Sequence, residues 1–177
     1  MLRTLGQMGW RPGLRVEEIG SPQRIAPHSI AVSAEFTEDT EPLANGRLII
    51  LHDPAGNDAW DGTFRVVSYA RADLDLEMVT DPLLPDVAWS WLGDALTQHA
   101  ATHHSLAGTV TASYGKSFGA IEGNETRGEV EVRASWTPLL SQTDPVTGHL
   151  LAWQDLLGHL AGRPPLPAGV VQFPGRA

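Results

Sequence analysis

The stretch Glu129-Val130-Glu131-Val132-Arg133-Ala134-Ser135-Trp136-Thr137 decides the fold, because polar and apolar side chains alternate along it without a break. A period of two predicts a β-strand with one buried and one solvated face. The buried face is predicted to hold Val130, Val132, Ala134 and Trp136. A second alternating run, residues 108–114, is joined to the first by the glycine-rich residues 115–128. Together the two runs predict an antiparallel hairpin with one face in water.

Further strand patterns precede this hairpin. Residues 14–19 and 30–36 alternate with the same period, and the second run predicts a half-buried strand. Asn45-Gly46 predicts a tight turn. Residues 47–52 are apolar on both faces, which is typical of a central strand. After the breaker-rich residues 53–63, alternation resumes over 63–78 and predicts a long strand whose Asp73, Asp75 and Glu77 protect an edge.

Two helices are predicted from apolar stripes of helical period. The first begins after Asp81-Pro82 and runs to about residue 101. Its stripe consists of Val87, Trp91, Leu92, Ala95, Leu96 and His99. The second follows Asp144-Pro145, ends at Gly162, and places Leu150, Trp153, Leu156, Leu157 and Leu160 on one face. Residues 2–8 predict the last turns of an additional helix at the start.

The order of these elements predicts the fold class. Consecutive antiparallel strands, with helices that do not alternate one for one with them, indicate an α+β fold. We expect a mostly antiparallel sheet of five to six strands with about three helices packed on it. The predicted order is helix, three or four strands, helix, two strands, helix. One domain is expected to span residues 1–177, with residues 163–177 as an extended, proline-rich tail lying on the body.

Composition excludes several classes of function. The 177 residues carry 21 acidic and 12 basic side chains, a formal net charge of −9, and include a single lysine, Lys116. Direct nucleic-acid binding is therefore not expected, because it needs clustered basic residues. The chain has no cysteine, which excludes disulfides, thiolate catalysis and thiolate zinc sites. The longest apolar run, residues 48–51, is too short to cross a membrane, and residues 1–10 lack the features of a secretory signal. The cytoplasm is therefore the expected location, and no cofactor is expected.

Two histidines have a spacing that suits a metal ion. His99 and His103 stand four apart at the end of the first predicted helix, so both imidazoles could bind one ion. The alternative is that a cationic histidine stabilises the C-terminus of the helix by interacting with the negative end of the helix dipole. No third ligand is close in sequence, so the second interpretation is preferred and no metal site is expected.

A polar group flanks the central strands. It consists of Arg24, His28, His52, Trp60 and Arg65. These residues precede or follow neighbouring strands, so they could converge at one rim of the sheet. There they could hold an anionic small molecule by stacking and by charge-assisted hydrogen bonds. The alternative is an ion pair between Asp53 and an arginine that closes the loop.

The chain has no cysteine that could act as a nucleophile beside this polar group. Six tryptophans, against two tyrosines and four phenylalanines, are compatible with an interface, where tryptophan is enriched. The sequence therefore favours a non-catalytic protein-binding or adaptor module with an unknown protein partner. The alternative is a small-molecule-binding protein or enzyme acting on an anionic ligand. The oligomeric state is left open.

Five motifs resemble a known family. They are Pro22-Gln23-Arg24-Ile25-Ala26-Pro27, the run from Gly46-Arg47-Leu48 to His52-Asp53-Pro54-Ala55-Gly56, Asp81-Pro82-Leu83-Leu84-Pro85, Ala88-Trp89-Ser90-Trp91-Leu92, and Arg133-Ala134-Ser135-Trp136-Thr137-Pro138. Over essentially its whole length the chain resembles the actinobacterial family known as domain of unknown function three thousand. The resemblance implies an actinobacterial, cytoplasmic protein and transfers no catalytic residue.

Overall fold

The computed structural model describes residues 8–22, 24–39, 41–119, 128–140 and 146–166. In this part of the chain, six strands form one antiparallel sheet in the order β1-β2-β3-β4-β6-β5. The strands are β1 Leu14–Ile19, β2 His28–Glu38, β3 Glu41–Asn57, β4 Gly62–Leu74, β5 His103–Tyr114 and β6 Gly128–Pro138. The predicted α+β class with a mostly antiparallel sheet is confirmed. The predicted central strand is also confirmed, because residues 47–52 belong to β3, which lies between β2 and β4.

Three helices accompany the sheet: α1 Leu76–Val79, α2 Leu84–Gln98 and α3 Thr147–Leu160. The helices α2 and α3 pack against each other and against the same face of the sheet, α3 over β3 and β4 and α2 over β5. We call this the helix face, and the opposite side the open face. Apart from Met8, the helix predicted at residues 2–8 lies outside the described residues, as does the tail beyond residue 166. None of the described helices combines the length and apolarity that crossing a membrane requires.

The inward-facing side chains of residues 129–137 are buried as predicted. Val130, Val132, Ala134 and Trp136 of β6 all face the helices, and Trp136 is completely buried. Its indole Nε1–H donates a hydrogen bond of 3.0 Å to Nδ1 of His149 in α3. This bond matters because a buried indole without an acceptor is costly. Trp136 therefore joins the sheet to α3 through both packing and a polar contact.

Helix α3 is enclosed on more sides than its apolar stripe predicts. The five predicted core residues, Leu150, Trp153, Leu156, Leu157 and Leu160, are buried, and so are the polar His149, Gln154 and Asp155. The backbone N–H of Arg11 donates to Oε1 of Gln154 at 2.9 Å. Nε2 of His99, just after α2, lies 2.6 Å from Oδ2 of Asp155. The polar side of α3 thus binds the neighbouring segments instead of water.

The tight turn predicted at Asn45-Gly46 is wrong. Both residues lie inside β3, and the chain reverses between Glu38 and Glu41. Gly46 faces α3, and a Cβ there would lie 2.8 Å from the carbonyl oxygen of Tyr69 and 2.9 Å from Cδ2 of Leu157. Its neighbours across the sheet, Ala34 and Ala70, are also small and buried. Glycine is needed here for the close approach of α3, and not for a turn.

The boundaries predicted on either side of β4 also need correction. The loop predicted over residues 53–63 shrinks to residues 58–61, because β3 continues to Asn57 past an irregularity that begins after His52. The strand predicted over 63–78 ends at Leu74 and is followed by α1. This helical turn places Val79 over Gly128, where an added Cβ would overlap a Val79 methyl carbon. The turn therefore fills a space that a continuing strand would leave empty.

The predicted edge role of Asp73 is likewise wrong, because β4 is an inner strand between β3 and β6. Asp73 stands opposite Glu129 of β6, a pairing of like charges that is unfavourable by itself. Arg71 lies within 3.4 Å of Asp73 and 2.8 Å of Glu129 and offsets this repulsion.

We predict that Gly46→Ala destabilises the protein, because the added methyl overlaps the Tyr69 carbonyl and the Leu157 side chain. The expected loss in the free energy of unfolding is about 1–3 kcal/mol, measured by urea denaturation. Gly93→Ala is the matched control, because a Cβ at Gly93 in α2 meets nothing within 4 Å. That change should stabilise the protein by about 0.5–1 kcal/mol. Equal effects at the two positions would contradict the role given to Gly46.

Candidate functional site

The polar rim predicted from the sequence divides between the two faces of the sheet. His28 of β2 stands opposite His52 of β3, which stands opposite Phe64 of β4. The rings stack along this row, with centroids 5.6 Å apart for the two histidines and 4.1 Å apart for His52 and Phe64. Arg65 follows Phe64 directly and stands opposite Leu51, so it points to the other face.

The five predicted residues therefore do not line one pocket. The structure brings together His28 and His52, with Phe64 as a third ring that the sequence interpretation missed. Arg24 is exposed in the connection between β1 and β2. The alternative ion pair of Asp53 with an arginine does not occur in the described part of the chain. Instead, Oδ1 of Asp53 accepts a hydrogen bond from the backbone N–H of Ala55 at 3.1 Å.

Arg65 forms a polar cluster of its own on the open face. Its Nη1 donates to the carbonyl oxygen of Ser105 at 3.1 Å and to Oγ1 of Thr137 at 3.0 Å, and its Nη2 donates to Oγ of Ser135 at 2.6 Å. The Thr137 hydroxyl in turn donates to the carbonyl oxygen of Trp60 at 2.6 Å. Trp60 and Arg65 are therefore connected through the Thr137 hydroxyl. One arginine thus connects β4, β5 and β6 through neutral acceptors.

The positive charge of the Arg65 guanidinium is not balanced by a neighbouring carboxylate in the described chain. Burial lowers the pKa of the Arg65 guanidinium, and no carboxylate in the described part of the chain lies within ion-pair distance of it. Its Nε–H donates to no acceptor among the described residues, so it is left for a carboxylate or phosphate oxygen. Ser105 has a left-handed backbone, φ 51°, at the irregularity of β5 between His104 and Ala107. The sequence carries no signal for this bulge.

The two histidines considered for a metal ion are engaged separately. Nε2 of His99 lies against Asp155, as described above, and Nδ1 of His103 lies 2.7 Å from the carbonyl oxygen of Ala101. Across the ranges that the structure describes, no group of three or more histidine, aspartate or glutamate side chains is arranged to hold a metal. His99 instead connects the end of α2 to the buried face of α3.

A mainly apolar concavity of the described chain lies elsewhere, between the helices and the ends of β3 and β4. This cleft of about 210 Å³, which we call the Trp91 groove, is lined mainly by Leu43, Leu74, Met78, Trp91, His159 and Leu160. The indole of Trp91 stacks on the imidazole of His159, with centroids 5.2 Å apart and planes inclined by 12°. The groove therefore has an aromatic wall that the helices α2 and α3 build together.

Exposed apolar side chains lie along the helices α1 and α2 beside this groove. Met78 is 48% exposed, Leu83 63% and Val87 43%. Val87 was predicted to lie on the buried stripe of α2, which is wrong. The buried residues of α2 are Leu84, Ala88, Leu92, Ala95 and Leu96. Leu83, Val87 and Trp91 follow one another at intervals of four, so they form a second apolar ridge on α2.

Carboxylates are frequent in the segment that carries this apolar ridge. Residues 72–98 contain no lysine or arginine but six acidic side chains: Asp73, Asp75, Glu77, Asp81, Asp86 and Asp94. Of these six side chains, Asp73 alone forms an ion pair with an arginine of the described chain. Asp81 accepts a hydrogen bond of 2.8 Å from the backbone N–H of Leu83 and so supports the start of α2. The net result is an apolar surface set in a strongly negative field.

His159, at the wall of the Trp91 groove, makes the folding stability of the protein depend on pH. Burial lowers the pKa of its imidazole below the ordinary value of 6.5, an effect that Arg11 reinforces and that Asp155 and Asp94 oppose. The unfolded chain then takes up the proton at a higher pH than the folded chain does. The contribution of neutral His159 to folding stability is therefore complete above pH 6.5 and is lost as the pH falls below that value.

We predict that His159→Phe makes the free energy of unfolding less sensitive to acid. Phenylalanine keeps a ring against Trp91 but cannot be protonated. Urea denaturation between neutral pH and about pH 5 should show a larger loss of stability in the wild type than in the variant, because only the wild type has an imidazole of lowered pKa at position 159. Parallel curves for the two proteins would contradict a lowered pKa of His159.

Comparison with known proteins defines the family of this chain. A search of curated proteins and a search of solved structures both found no match. The family model described as Protein of unknown function (DUF3000) matches residues 1–171. The match covers nearly the entire sequence, in agreement with the resemblance carried by the five motifs. The chain belongs to the DUF3000 family.

Proposed function

We propose that this protein is a non-catalytic binding module, a cytoplasmic adaptor of actinobacteria, that holds an apolar and positively charged segment of another protein in the Trp91 groove. The observation that carries the proposal is the coincidence of an exposed apolar ridge with a segment, residues 72–98, that contains six carboxylates and no lysine or arginine. The actinobacterial and cytoplasmic parts of the proposal rest on the family resemblance alone.

The apolar half of the surface supports protein binding. Three large apolar side chains, Met78, Leu83 and Val87, are exposed on α1 and at the start of α2, and Met78 also lines the cleft. Scattered exposed apolar residues are normal on a protein surface, but a group of them beside a cleft is typical of a binding site. Trp91, at the wall of the cleft, is the residue type that most often dominates the energy of protein interfaces. A short amphipathic helix presents apolar side chains at the same i, i+4 spacing as the ridge, so it fits this surface.

The charged half of the surface defines the partner further. Asp75, Glu77, Asp81, Asp86 and Asp94 are all exposed. Their field attracts a segment with lysine or arginine on the flanks of its apolar face and repels an acidic one. The partner that this surface fits is therefore an apolar helix with basic flanks.

The proposal is tested with a labelled synthetic helix that carries leucines at i, i+4 spacing and lysines on its flanks. Fluorescence anisotropy should show binding that weakens with salt, whereas the same helix with glutamates in place of the lysines should not bind. Leu83→Ser combined with Val87→Ser should weaken binding by about tenfold or more. Both positions are exposed, so the fold should be preserved.

A matched control is the double variant Ile25→Ser and Leu139→Ser, which removes equally exposed apolar side chains, 59% and 49%, away from the groove. It should bind the lysine helix as the wild type does. Equal weakening by both double variants, or equal binding of the lysine and glutamate helices, would contradict the proposal.

The Arg65 cluster supports a second candidate function, the binding of a small anion on the open face. The supporting observation is a guanidinium that three neutral acceptors hold in position and whose Nε–H has no acceptor in the described chain. Rigid guanidinium groups of this kind suit carboxylate or phosphate oxygens. This site and the Trp91 groove lie on opposite faces of the sheet, so the two candidate functions are independent.

For this candidate we predict that inorganic phosphate shifts the Nε–H resonance of Arg65 in NMR spectra. Arg133 is an internal control on the same face, because its Nε is already 2.8 Å from Oε1 of Glu131. The Arg133 signal should move little. Arg65→Lys should weaken phosphate binding several-fold, because lysine keeps the charge but has no bidentate edge. Equal shifts at both arginines would indicate only nonspecific association with ions.

A further inference from the structure

The two edges of the sheet differ in how they are protected. The edge strand β1 has six residues, of which Arg15, Glu17 and Glu18 are charged. The other edge strand, β5, has twelve residues, His103–Tyr114, and contains no aspartate, glutamate, lysine, arginine or proline. Natural sheets block unwanted pairing with short strands, charges or prolines. By these criteria β1 is blocked and β5 is open.

The outer side of β5 is also uncovered in the described chain. The strand pairs with β6 on one side and with no other described strand. Exposed residues make up most of its length beyond the bulge: Ala107, Gly108, Thr109, Thr111, Ser113 and Tyr114. A row of backbone N–H and C=O groups on an uncovered edge is a template for another strand.

We infer that β5 pairs antiparallel with β5 of a second copy of this chain, about a two-fold axis at Val110. The sequence Ala107-Gly108-Thr109-Val110-Thr111-Ala112-Ser113 reads nearly the same in both directions from Val110. With Val110 opposite Val110, threonine meets threonine, glycine meets alanine, and alanine meets serine. Every pair is formed by side chains of similar size, and Thr109 opposite Thr111 is a favourable cross-strand pair.

The register that this symmetry selects also preserves the two faces of the sheet. Gly108, Val110 and Ala112 lie on the helix face in both copies, and Thr109 and Thr111 lie on the open face. Each copy has a net charge of −9, which opposes association at long range. No charged side chain of β5 meets a like charge across the proposed contact, so the repulsion there is small. A two-fold contact of this kind closes on itself and produces a dimer.

The absence of cysteine allows a direct test of the proposed register. Pairing at Val110 brings the two Cβ atoms to about 5 Å, near the separation that a disulfide requires. Mild oxidation of Val110→Cys should therefore give a covalent dimer on a non-reducing gel. Glu17→Cys, on the charged edge β1, is the matched control and should stay uncrosslinked. Equal crosslinking of the two variants would overturn the proposal.

Mass and charge provide the second test. The wild-type chain should sediment at twice 19.1 kDa at micromolar concentration. Thr109→Lys combined with Thr111→Lys places lysine opposite lysine and should give a monomer, whereas Thr109→Lys combined with Thr111→Glu places lysine opposite glutamate and should keep the dimer. Both positions are exposed, and thermal melting checks that each variant is folded. A monomeric wild type, or the same mass for both double variants, would overturn the proposal.

Discussion

The enclosure of α3 is the constraint on which the rest of the structure depends. Trp153 and Leu157 of this helix approach β3 so closely that only glycine fits at position 46. The surrounding elements are then fixed to the helix by single polar contacts: Trp136 of β6 through His149, the segment at Arg11 through Gln154, and His99 through Asp155. His149, Gln154 and Asp155 are themselves buried, so losing the partner of one of them would leave a buried polar group unsatisfied.

Packing of α3 and α2 covers the helix face of the sheet. The surfaces at which binding is possible therefore lie at the periphery. The Trp91 groove forms where the end of α3 meets α2 and the ends of β3 and β4. Its apolar ridge is the side of α2 that does not face the core. The Arg65 cluster lies on the open face of the sheet, and the unpaired side of β5 lies at the edge of the sheet, beside α2. The proposed sites therefore lie at the margin of the core.

Periodicity predicted much of this arrangement, and its errors have physical causes. The alternation in 129–137 placed Trp136 in the core correctly, because a strand with one wet face has a unique inward side. Asn45-Gly46 was misread as a turn because a glycine needed for turn geometry and one needed for close packing look the same in sequence. Of the predicted rim residues, His28 and His52 meet on neighbouring strands. Arg65 is separated from His52 because Phe64, the residue before it, stands opposite His52, and successive positions on a strand point to opposite faces.

The sequence by itself determined the α+β class, the order of the strands and of the two long helices, the carboxylates of residues 72–98, the buried face of β6 and the absence of thiol chemistry, because these depend on composition and on local periodicity. The tertiary structure alone decided that β5 becomes an edge beside β6, that Trp91 meets His159 in the groove, and that Arg65 meets Ser105, Ser135 and Thr137. These features join residues that are distant in the chain. Their positions follow from how α3 packs on the sheet, and no local pattern records that packing.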